Sequence, residues 1–347
     1  MKIALLGLPQ SGKRTLFTLL TGREVTEFRK AGEAIEGRAT VYDPRVDAIA
    51  KIEKPAKITF AQTEVVLCPD IEPGTGDYTW LQEARFGDLI CLVVRDFESE
   101  EVYHPEGSVD AVRDRSMLDA ELLLADLDLV EKRIERIEKD KKRKKPTPAQ
   151  QMEEKVVLRC RDILEANQRL STLDLTAEEE ASIRSLSFIT RKPLLWCYNV
   201  DESRASETPR SDGDPEFYIS AQIEKEIQSM ADAGERAEYL GELNLAESGV
   251  DRLNATAYDR LGLMSFYTMG KDEVRAWTIH KGSCAPTAGG KIHSDIERGF
   301  IRVEVIKYDD LIREGSEVAA KAAGKAQLKG KTYVMEDGDI CHFRFNV

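Results

Sequence analysis

Short runs of apolar residues recur along the first two thirds of the chain, separated by longer mixed segments. The runs cover residues 2–7, 63–68, 88–94, 194–198 and 216–220. Nearly continuous apolar runs of this length are typical of parallel strands that are covered on both faces. Residues 15–20, which follow the first run and a glycine-containing loop, predict a helix. Together these elements predict an α/β fold with a doubly wound, mostly parallel sheet.

Between residues 107 and 186 the apolar pattern changes to a helical period. Apolar side chains recur at spacings of four and three, at Leu123, Leu127, Val130, Ile134 and Ile137. This stripe is typical of a long amphipathic helix, which Pro146 and Pro148 must end. A second helix is predicted from about Ala149, and Thr176 with Glu179 predicts the capping box of a third, shorter helix. The pattern of this segment therefore predicts an α-helical hairpin inserted into the α/β domain.

The last part of the chain changes pattern again. Residues 222–262 are acidic and helical in character. Strands are then predicted at 274–279, 300–305, 333–335 and 341–345, with one clear helix at 311–328. This mixture predicts a small α+β domain. The predicted domains are thus 1–106 with 187–262, the inserted hairpin 107–186, and a C-terminal domain 263–347.

Composition narrows the class of protein. The chain has 347 residues, 63 acidic and 50 basic side chains, and a formal net charge of −13. Its six cysteines form no CxxC pair and no metal-ligand spacing, which excludes a disulfide scaffold and a zinc ribbon. No apolar stretch reaches the roughly 20 residues of a membrane helix. We therefore expect a soluble, cytoplasmic protein without a membrane partner or DNA specificity, although local basic patches remain able to contact RNA.

A phosphate-binding loop is predicted directly after the first strand. The loop runs through Gly7, Pro9, Gln10, Ser11, Gly12 and Lys13, and its context of strand, loop and helix is the one that the motif requires. Glycines let backbone N–H groups converge on phosphate oxygens, the helix N-terminus favours negative charge, and the lysine reaches the outer phosphates. The alternative is a glycine-rich turn with a solvated lysine.

The next position departs from the motif. A serine or threonine hydroxyl would bind Mg²⁺ there, but the residue is Arg14, which has no lone pair to offer a cation. Thr15 follows, about 100° further round the helix, and is a weak candidate for the missing metal ligand. A role for Mg²⁺ is therefore doubtful.

A candidate base-binding element follows the strand at 194–198. The sequence N-V-D-E offers Asn199 with Glu202 or Asp201, and Ser220 with Ala221 supplies a second loop after the strand at 216–220. Strand-end loops of this kind read the base in GTPase-like folds, and a simple polar turn is the alternative. The two loops support each other, because the carboxyl ends of parallel strands meet at one edge of a sheet.

These motifs resemble the YchF/Obg-like ATPase family. The resemblance covers nearly the whole chain and includes residues 7–17, 43–49, 125–128, 199–202, 273–279, 285–286, 288–293 and 299–302. It implies a GTPase-type domain with a phosphate loop, an inserted helical hairpin and a C-terminal TGS domain of the ubiquitin-like β-grasp type. It also implies binding of ATP or GTP, with the N-x-x-E sequence suited to adenine, slow hydrolysis, and partners at the ribosome or ribosomal RNA.

The departures from the family pattern cluster where hydrolysis would occur. Arg14 stands at the Mg²⁺-binding serine, Ala34 at the switch-I threonine and Leu67 at the switch-II aspartate, with Asp70 nearby but shifted. Such changes predict weak or rewired hydrolysis, at most a slow ATPase or GTPase. We hypothesise that Arg14 partly substitutes for Mg²⁺ at the outer phosphates; a solvent-exposed Arg14 is the alternative. A nucleotide-independent scaffold that binds RNA or ribosomes is the alternative function.

A concentrated basic segment is predicted at the tip of the helical hairpin. It consists of Lys141, Lys142, Arg143, Lys144 and Lys145. Such a run is usually a solvated loop, but on an acidic protein it is a candidate contact for an RNA phosphate backbone.

Overall fold

The computed structural model describes residues 1–25, 33–207 and 214–346, so Val347 of the predicted C-terminal domain lies outside the described residues. In the described part of the chain, the strands are β1 (Lys2–Gly7), β2 (Ile35–Val41), β3 (Lys57–Thr59), β4 (Ala61–Leu67), β5 (Leu89–Asp96), β6 (Leu194–Val200), β7 (Glu216–Ile219), β8 (Leu263–Thr268), β9 (Glu273–His280), β10 (Phe300–Lys307), β11 (Gln327–Lys329) and β12 (Asp339–Phe345).

The helices of the same residues are α1 (Lys13–Thr21), α2 (Pro44–Glu53), α3 (Leu81–Ala84), α4 (Ala111–Lys141), α5 (Pro148–Glu165), α6 (Ala177–Ile183), α7 (Ala221–Ser229), α8 (Ala233–Glu242), α9 (Gly249–Arg260), α10 (Ala285–Ile292), α11 (Ser294–Arg298), α12 (Tyr308–Glu314) and α13 (Glu317–Ala322). Among the described residues, no helix is both long enough and apolar enough to cross a membrane.

The first sheet has the strand order β2-β4-β1-β5-β6-β7. The pairs β1–β4, β1–β5, β5–β6 and β6–β7 are all parallel. Its central strands are buried along nearly their whole length, as parallel strands covered by helices must be. The prediction of a mostly parallel α/β sheet is therefore confirmed, and the carboxyl ends of β1, β5 and β6 lie side by side at one edge.

The second sheet has the order β11-β10-β12-β8-β9-β3. It is mixed: β10 pairs antiparallel with β11 and β12, β8 pairs antiparallel with β9, and β12–β8 and β3–β9 are parallel. Its buried core includes Phe266, Phe300 and Val303. The expected α+β character of the C-terminal region is thus present.

The described residues divide into two compact units. One comprises Met1–Ala39 and Glu64–Val250, and the other comprises Thr40–Thr63 and the chain from Asp251 onward. The sequence placed residues 40–63 and 251–262 in the first domain, but here they belong to the second unit. The three-residue strand β3 explains part of this difference, because it pairs with β9, far along the chain. The inserted hairpin lies within the first unit, and its status as a separate domain stays a prediction.

Two predicted elements of the C-terminal region differ from the structure, and two helices there were not predicted. The predicted helix 311–328 is two helices and strand β11, because Gly315 has a φ of +73° and ends α12. The predicted strand 333–335 is only an isolated bridge, between Val334 and Cys284. Helices α10 and α11 were not predicted, since two adjacent glycines weaken the helical pattern. Gly289 is needed there because a Cβ would lie 2.6 Å from Ile296.

The helical hairpin follows its predicted pattern. Helices α4 and α5 pack through a buried cluster that includes Val130, Val156 and Cys160. The predicted capping box of Thr176 and Glu179 is present at the start of α6. Helix α4 ends at Lys141, Pro146 lies in the turn before α5, and Pro148 is the first residue of α5. All six cysteines are free.

The middle of α4 is fixed to the segment before β6 by a buried carboxylate. Asp126 is fully buried and accepts hydrogen bonds from the backbone N–H groups of Ile189 (3.0 Å) and Thr190 (2.8 Å) and from the Thr190 hydroxyl (2.7 Å). Burial raises its pKa, and the hydrogen bonds from Thr190 and Ile189 oppose that rise. Asp126 therefore joins α4 to the segment that leads into β6.

Replacement of Asp126 by Ala is expected to lower the free energy of unfolding by about 3 kcal/mol, because three buried donors lose their acceptor. Urea denaturation measures this change. The matched control is Asp128→Ala in the same helix. Asp128 makes a surface ion pair with Lys132, so we expect a loss of no more than about 0.5 kcal/mol. Equal losses in the two variants would contradict the role of Asp126.

Candidate nucleotide-binding site

The predicted phosphate loop connects β1 to α1 and needs glycine at two positions. A Cβ on Gly7 would lie 2.6 Å from the carbonyl oxygen of Val93. Gly12 has a φ of +88°, and a Cβ there would lie 2.2 Å from the side-chain nitrogen of Asn199. Glycine at these two positions lets the loop pass close to Val93 and Asn199. The loop then leads directly into the N-terminus of α1.

Lys13, the first residue of α1, is buried with 3% of its side chain exposed. Its Nζ donates to the carbonyl oxygen of Cys68 at 2.9 Å and lies 2.7 Å from Oδ1 of Asp70. Burial lowers the pKa of the lysine, and the nearby Asp70 carboxylate opposes that effect. The structure therefore holds the ammonium at the mouth of the loop with a carboxylate as its counter-ion.

Arg14 and Thr15 point to different parts of the site. The Arg14 side chain is 64% exposed, and its Nη2 lies 3.5 Å from Oδ2 of Asp70. Thr15 lines the pocket that contains Asn199. The two residues therefore lie on different sides of the helix start, as the helical rotation predicts.

Asn199, near the end of β6, makes hydrogen bonds to two other elements of the site. Its Nδ2 donates to the carbonyl oxygen of Ser11 at 3.2 Å, and its Oδ1 accepts from the backbone N–H of Ala221 at 3.0 Å. The side chain thus ties the phosphate loop to the start of α7. The sequence predicted a role in reading the base, and the structure adds this positioning contact.

Predicted residues of the phosphate loop, α1 and both strand-end segments meet at one pocket of about 440 Å³. Those that line it are Gly12, Thr15, Asn199, Glu202, Ser220 and Ala221. Gly7, Pro9, Gln10, Ser11, Lys13 and Arg14 belong to the loop beside the pocket and do not line it. The volume lies within the range of small-ligand sites. The pocket adjoins the phosphate loop, so one ligand with a base and a phosphate chain could occupy both.

The loop after β5 also belongs to the site, although the sequence did not predict it there. Phe97 lines the same pocket, together with Glu98, Ser99, Glu101 and Val102. The buried Arg95 holds this loop, because its guanidinium donates to the carbonyl oxygens of Phe97 (3.2 Å) and Val102 (2.9 Å) and lies 4.5 Å from the centre of the Phe97 ring. The predicted strand at 88–94 was the available signal, since the carboxyl ends of parallel strands meet at one edge of a sheet.

A histidine anchors the far end of this loop. His104 is buried, and its Nε2 lies 2.9 Å from Oδ2 of Asp114 in α4. Its Nδ1 accepts from the backbone N–H of Glu106 at 3.1 Å. Since Nδ1 accepts, Nε2 carries the proton and donates to the carboxylate. Arg95 and His104 therefore hold both ends of the segment that carries Phe97.

Asp70 is a further site residue that was not predicted from the sequence. Aligned without gaps, the chain has Leu67 where the family has its aspartate, and Leu67 is buried at the end of β4. Asp70, three residues later, reaches Lys13 and Arg14 instead. Ala34 is partly buried against the core of the first sheet.

The residues around Lys13 do not fit a preformed magnesium site. Magnesium favours oxygen ligands, whereas Asp70 here faces the two cationic side chains of Lys13 and Arg14. In the described part of the chain, no group of three or more His, Cys, Asp and Glu residues could hold a metal ion.

Comparisons with known proteins give consistent matches. A family model named YchF-GTPase_C, described as a protein of unknown function, matches residues 263–346. The whole chain is 38% identical to the Ribosome-binding ATPase YchF of Escherichia coli O157:H7, with 99% of that protein covered. It is 35% identical to the protein of that name from Bacillus subtilis strain 168, over 99% of this chain and 98% of the relative. The solved structure of the Schizosaccharomyces pombe YchF GTPase has a TM-score of 0.82 and 31% identity, covering 99% of this chain and 97% of that one.

Proposed function

This chain belongs to the YchF family, and we propose that it is a purine-nucleotide-binding protein that acts in association with the ribosome. The observation that carries the proposal is that the phosphate loop, Asn199 near the end of β6 and Ala221 at the start of α7 meet around one pocket. The names of the relatives, which describe a ribosome-binding ATPase, support the same conclusion. Binding of ATP and GTP to the purified protein, and its co-sedimentation with ribosomes, test the two parts separately.

The phosphate loop supplies the charge for the phosphate chain. Backbone N–H groups between Gly7 and Lys13 and the N-terminus of α1 favour an anion there. Lys13 adds a full positive charge at the end of the loop, and Arg14 adds a second that is partly exposed. Thr15 faces the pocket and can donate its hydroxyl to an inner phosphate. We place the outer phosphates beside Lys13.

The base would occupy the pocket between the loops that follow β5, β6 and β7. Phe97 offers it an aromatic face, and Glu202 and the backbone at Ser220 and Ala221 offer polar partners. A carboxylate at Glu202 accepts hydrogen bonds, so it can read an exocyclic amino group. Both purines present such a group, and competition between ATP and GTP for the protein decides the preference. The N-x-x-E sequence supports ATP.

Replacement of Phe97 by Ala is expected to weaken ATP binding by about tenfold, because stacking of a base on an aromatic ring is worth about 1–3 kcal/mol. Binding of inorganic tripolyphosphate should stay unchanged, because that ligand has no base. Isothermal titration measures both. Phe86→Ala is the matched control, since Phe86 is 68% exposed and does not line the pocket. Equal weakening of both ligands would contradict the proposed place of the base.

Hydrolysis is proposed to be slow or absent. Arg14 replaces a metal-binding hydroxyl, and Ala34 and Leu67 stand where the family pattern has a threonine and an aspartate. Phosphate release by the purified protein, measured with and without Lys13→Ala, tests this: release well above background that depends on Lys13 would identify an active ATPase or GTPase. The alternative, a scaffold that binds ribosomes or RNA without nucleotide, is favoured by one observation, the carboxylate of Asp70 on Lys13.

The ribosome contact is proposed to lie at the tip of the helical hairpin. Lys141 ends α4, and Lys142, Arg143, Lys144 and Lys145 follow in the exposed turn before α5. Lys141 forms an ion pair with Glu154 of α5. The other four cations lie in the turn itself. A cluster of exposed cations of this kind can contact the phosphate backbone of ribosomal RNA. The remaining proposals are a TGS-type C-terminal domain, a cytoplasmic location and the absence of DNA specificity.

A further inference from the structure

One carboxylate contacts both cationic side chains of the phosphate loop. Oδ1 of Asp70 lies 2.7 Å from Nζ of Lys13, and Oδ2 lies 3.5 Å from Nη2 of Arg14. A carboxylate offers these groups the same thing as a phosphate, namely anionic oxygens that accept charge-assisted hydrogen bonds. Asp70 therefore satisfies the same charges that a bound phosphate chain would need.

The position of Lys13 makes a counter-ion necessary. Its ammonium is almost fully buried, and the other acceptor that it contacts is the neutral carbonyl oxygen of Cys68. A buried ammonium without an anionic partner is costly. In the absence of a phosphate ligand, Asp70 removes this cost.

The backbone around Asp70 is held in place on both sides. The N–H of Cys68 donates to the carbonyl oxygen of Leu5, and the N–H of Ile71 donates to that of Gly7, each at 3.1 Å. Ile71 is fully buried. The side chain of Asp70 is 26% exposed, so its carboxylate can turn from Lys13 toward water by rotation about its own side-chain bonds while the backbone stays anchored.

We propose that Asp70 is an internal counter-ion that competes with the nucleotide phosphates for Lys13 and Arg14, and that it does not bind magnesium. The inference rests on the proposed function, since it requires that the loop binds nucleotide. Two anionic groups on one ammonium repel each other, so the phosphate chain has to displace the carboxylate. Arg14, at the position of the usual metal-binding hydroxyl, adds positive charge that disfavours a divalent cation beside Asp70. Asp70 thereby sets the affinity for the phosphate chain.

The experiment compares Asp70→Asn with the wild-type chain. Asparagine keeps the shape and an accepting oxygen but removes the negative charge. ATP and inorganic tripolyphosphate are titrated by calorimetry, each with Mg²⁺ and with a chelator. We expect Asp70→Asn to bind both ligands about tenfold more tightly under both conditions, because a charged competitor has been removed. Glu72→Gln is the matched control: Glu72 is an exposed carboxylate two residues further on, and its loss should leave the affinities within twofold.

Three results would overturn the inference. Weaker ATP binding by Asp70→Asn in Mg²⁺ alone would identify Asp70 as a metal ligand. Equal affinity of wild type and variant would exclude competition while leaving the proposed function intact. Failure of the wild-type chain and the variant to bind ATP would overturn the proposed function together with the inference. Asp70→Ser is measured alongside, and the urea midpoint of each variant is compared with the wild type, so that a folding defect is recognised.

Discussion

Replacement of Lys13 by Ala is expected to weaken ATP and GTP binding by about 100-fold or more. Lys13 is the one loop cation that is almost fully buried, with 3% of its side chain exposed. A charge-assisted hydrogen bond in a water-poor site is worth about twice a neutral one, and the lysine also balances the charge of the phosphates. The backbone N–H groups and the N-terminus of α1 remain in the variant, so weak residual binding should persist.

Equilibrium dialysis with labelled ATP measures this loss directly. The matched control is Lys51→Ala, which removes one exposed lysine of α2 and should leave the affinity unchanged. Because Asp70 would lose its nearest cation, circular dichroism and the urea midpoint must accompany the binding data. A folded Lys13→Ala protein that binds ATP as tightly as the wild type would exclude the loop as the phosphate site, and would favour the scaffold alternative if ribosome binding persisted.

The five-residue change at the hairpin tip is expected to have the second large effect. Replacing Lys141, Lys142, Arg143, Lys144 and Lys145 with Gln should weaken ribosome binding by about 100-fold near 0.1 M salt. Each cation that contacts a backbone phosphate contributes roughly 0.7–0.9 to the slope of log affinity against log salt concentration. Lys141 is already paired with Glu154, so the other four cations should contribute most, and the slope should fall by about 3.

Co-sedimentation with ribosomes over a series of salt concentrations measures both the affinity and the slope of its salt dependence. The control carries the same change in net charge elsewhere. It replaces five lysines of the second compact unit with Gln, at Lys51, Lys54, Lys281, Lys291 and Lys331. A smaller effect of this control on the salt slope would assign the contact to the hairpin tip. Equal slopes for the tip variant and the wild type would mean that the basic run is a solvated turn.

Local patterns predicted the elements that depend on near neighbours. The strand β1 has the predicted bounds of Lys2–Gly7, and the capping box of Thr176 and Glu179 lies where the sequence indicated. Both are short-range features: a run of buried apolar residues, and a side chain that satisfies its own helix N-terminus. The phosphate loop belongs partly to the same class: the positive φ of Gly12 is a property of the loop itself, whereas Gly7 is also required by the close approach of Val93 in β5.

The pairing of strands that lie far apart along the chain could not be predicted from the sequence. Strand β3 has three residues and no distinctive pattern, yet its pairing with β9 assigns residues 40–63 to the second unit. Helix α10 contains Gly289, a poor helix former, because Ile296 packs too close for a side chain. In each case a contact with a distant or neighbouring element outweighs the local preference, and such contacts cannot be read from a single segment.

The candidate site also combines features predicted from local sequence with contacts that depend on distant residues. The sequence by itself determined the family resemblance, the phosphate loop with its Arg14 departure, and the polar turn at Asn199, because each of these depends on residue type and spacing within one segment. Only the tertiary structure decided that Phe97 faces the same pocket and that Asp70, rather than a residue at the expected position, reaches Lys13. The physical reason is that the parallel sheet gathers the ends of β1, β4, β5 and β6 at one edge, where residues far apart in sequence become neighbours.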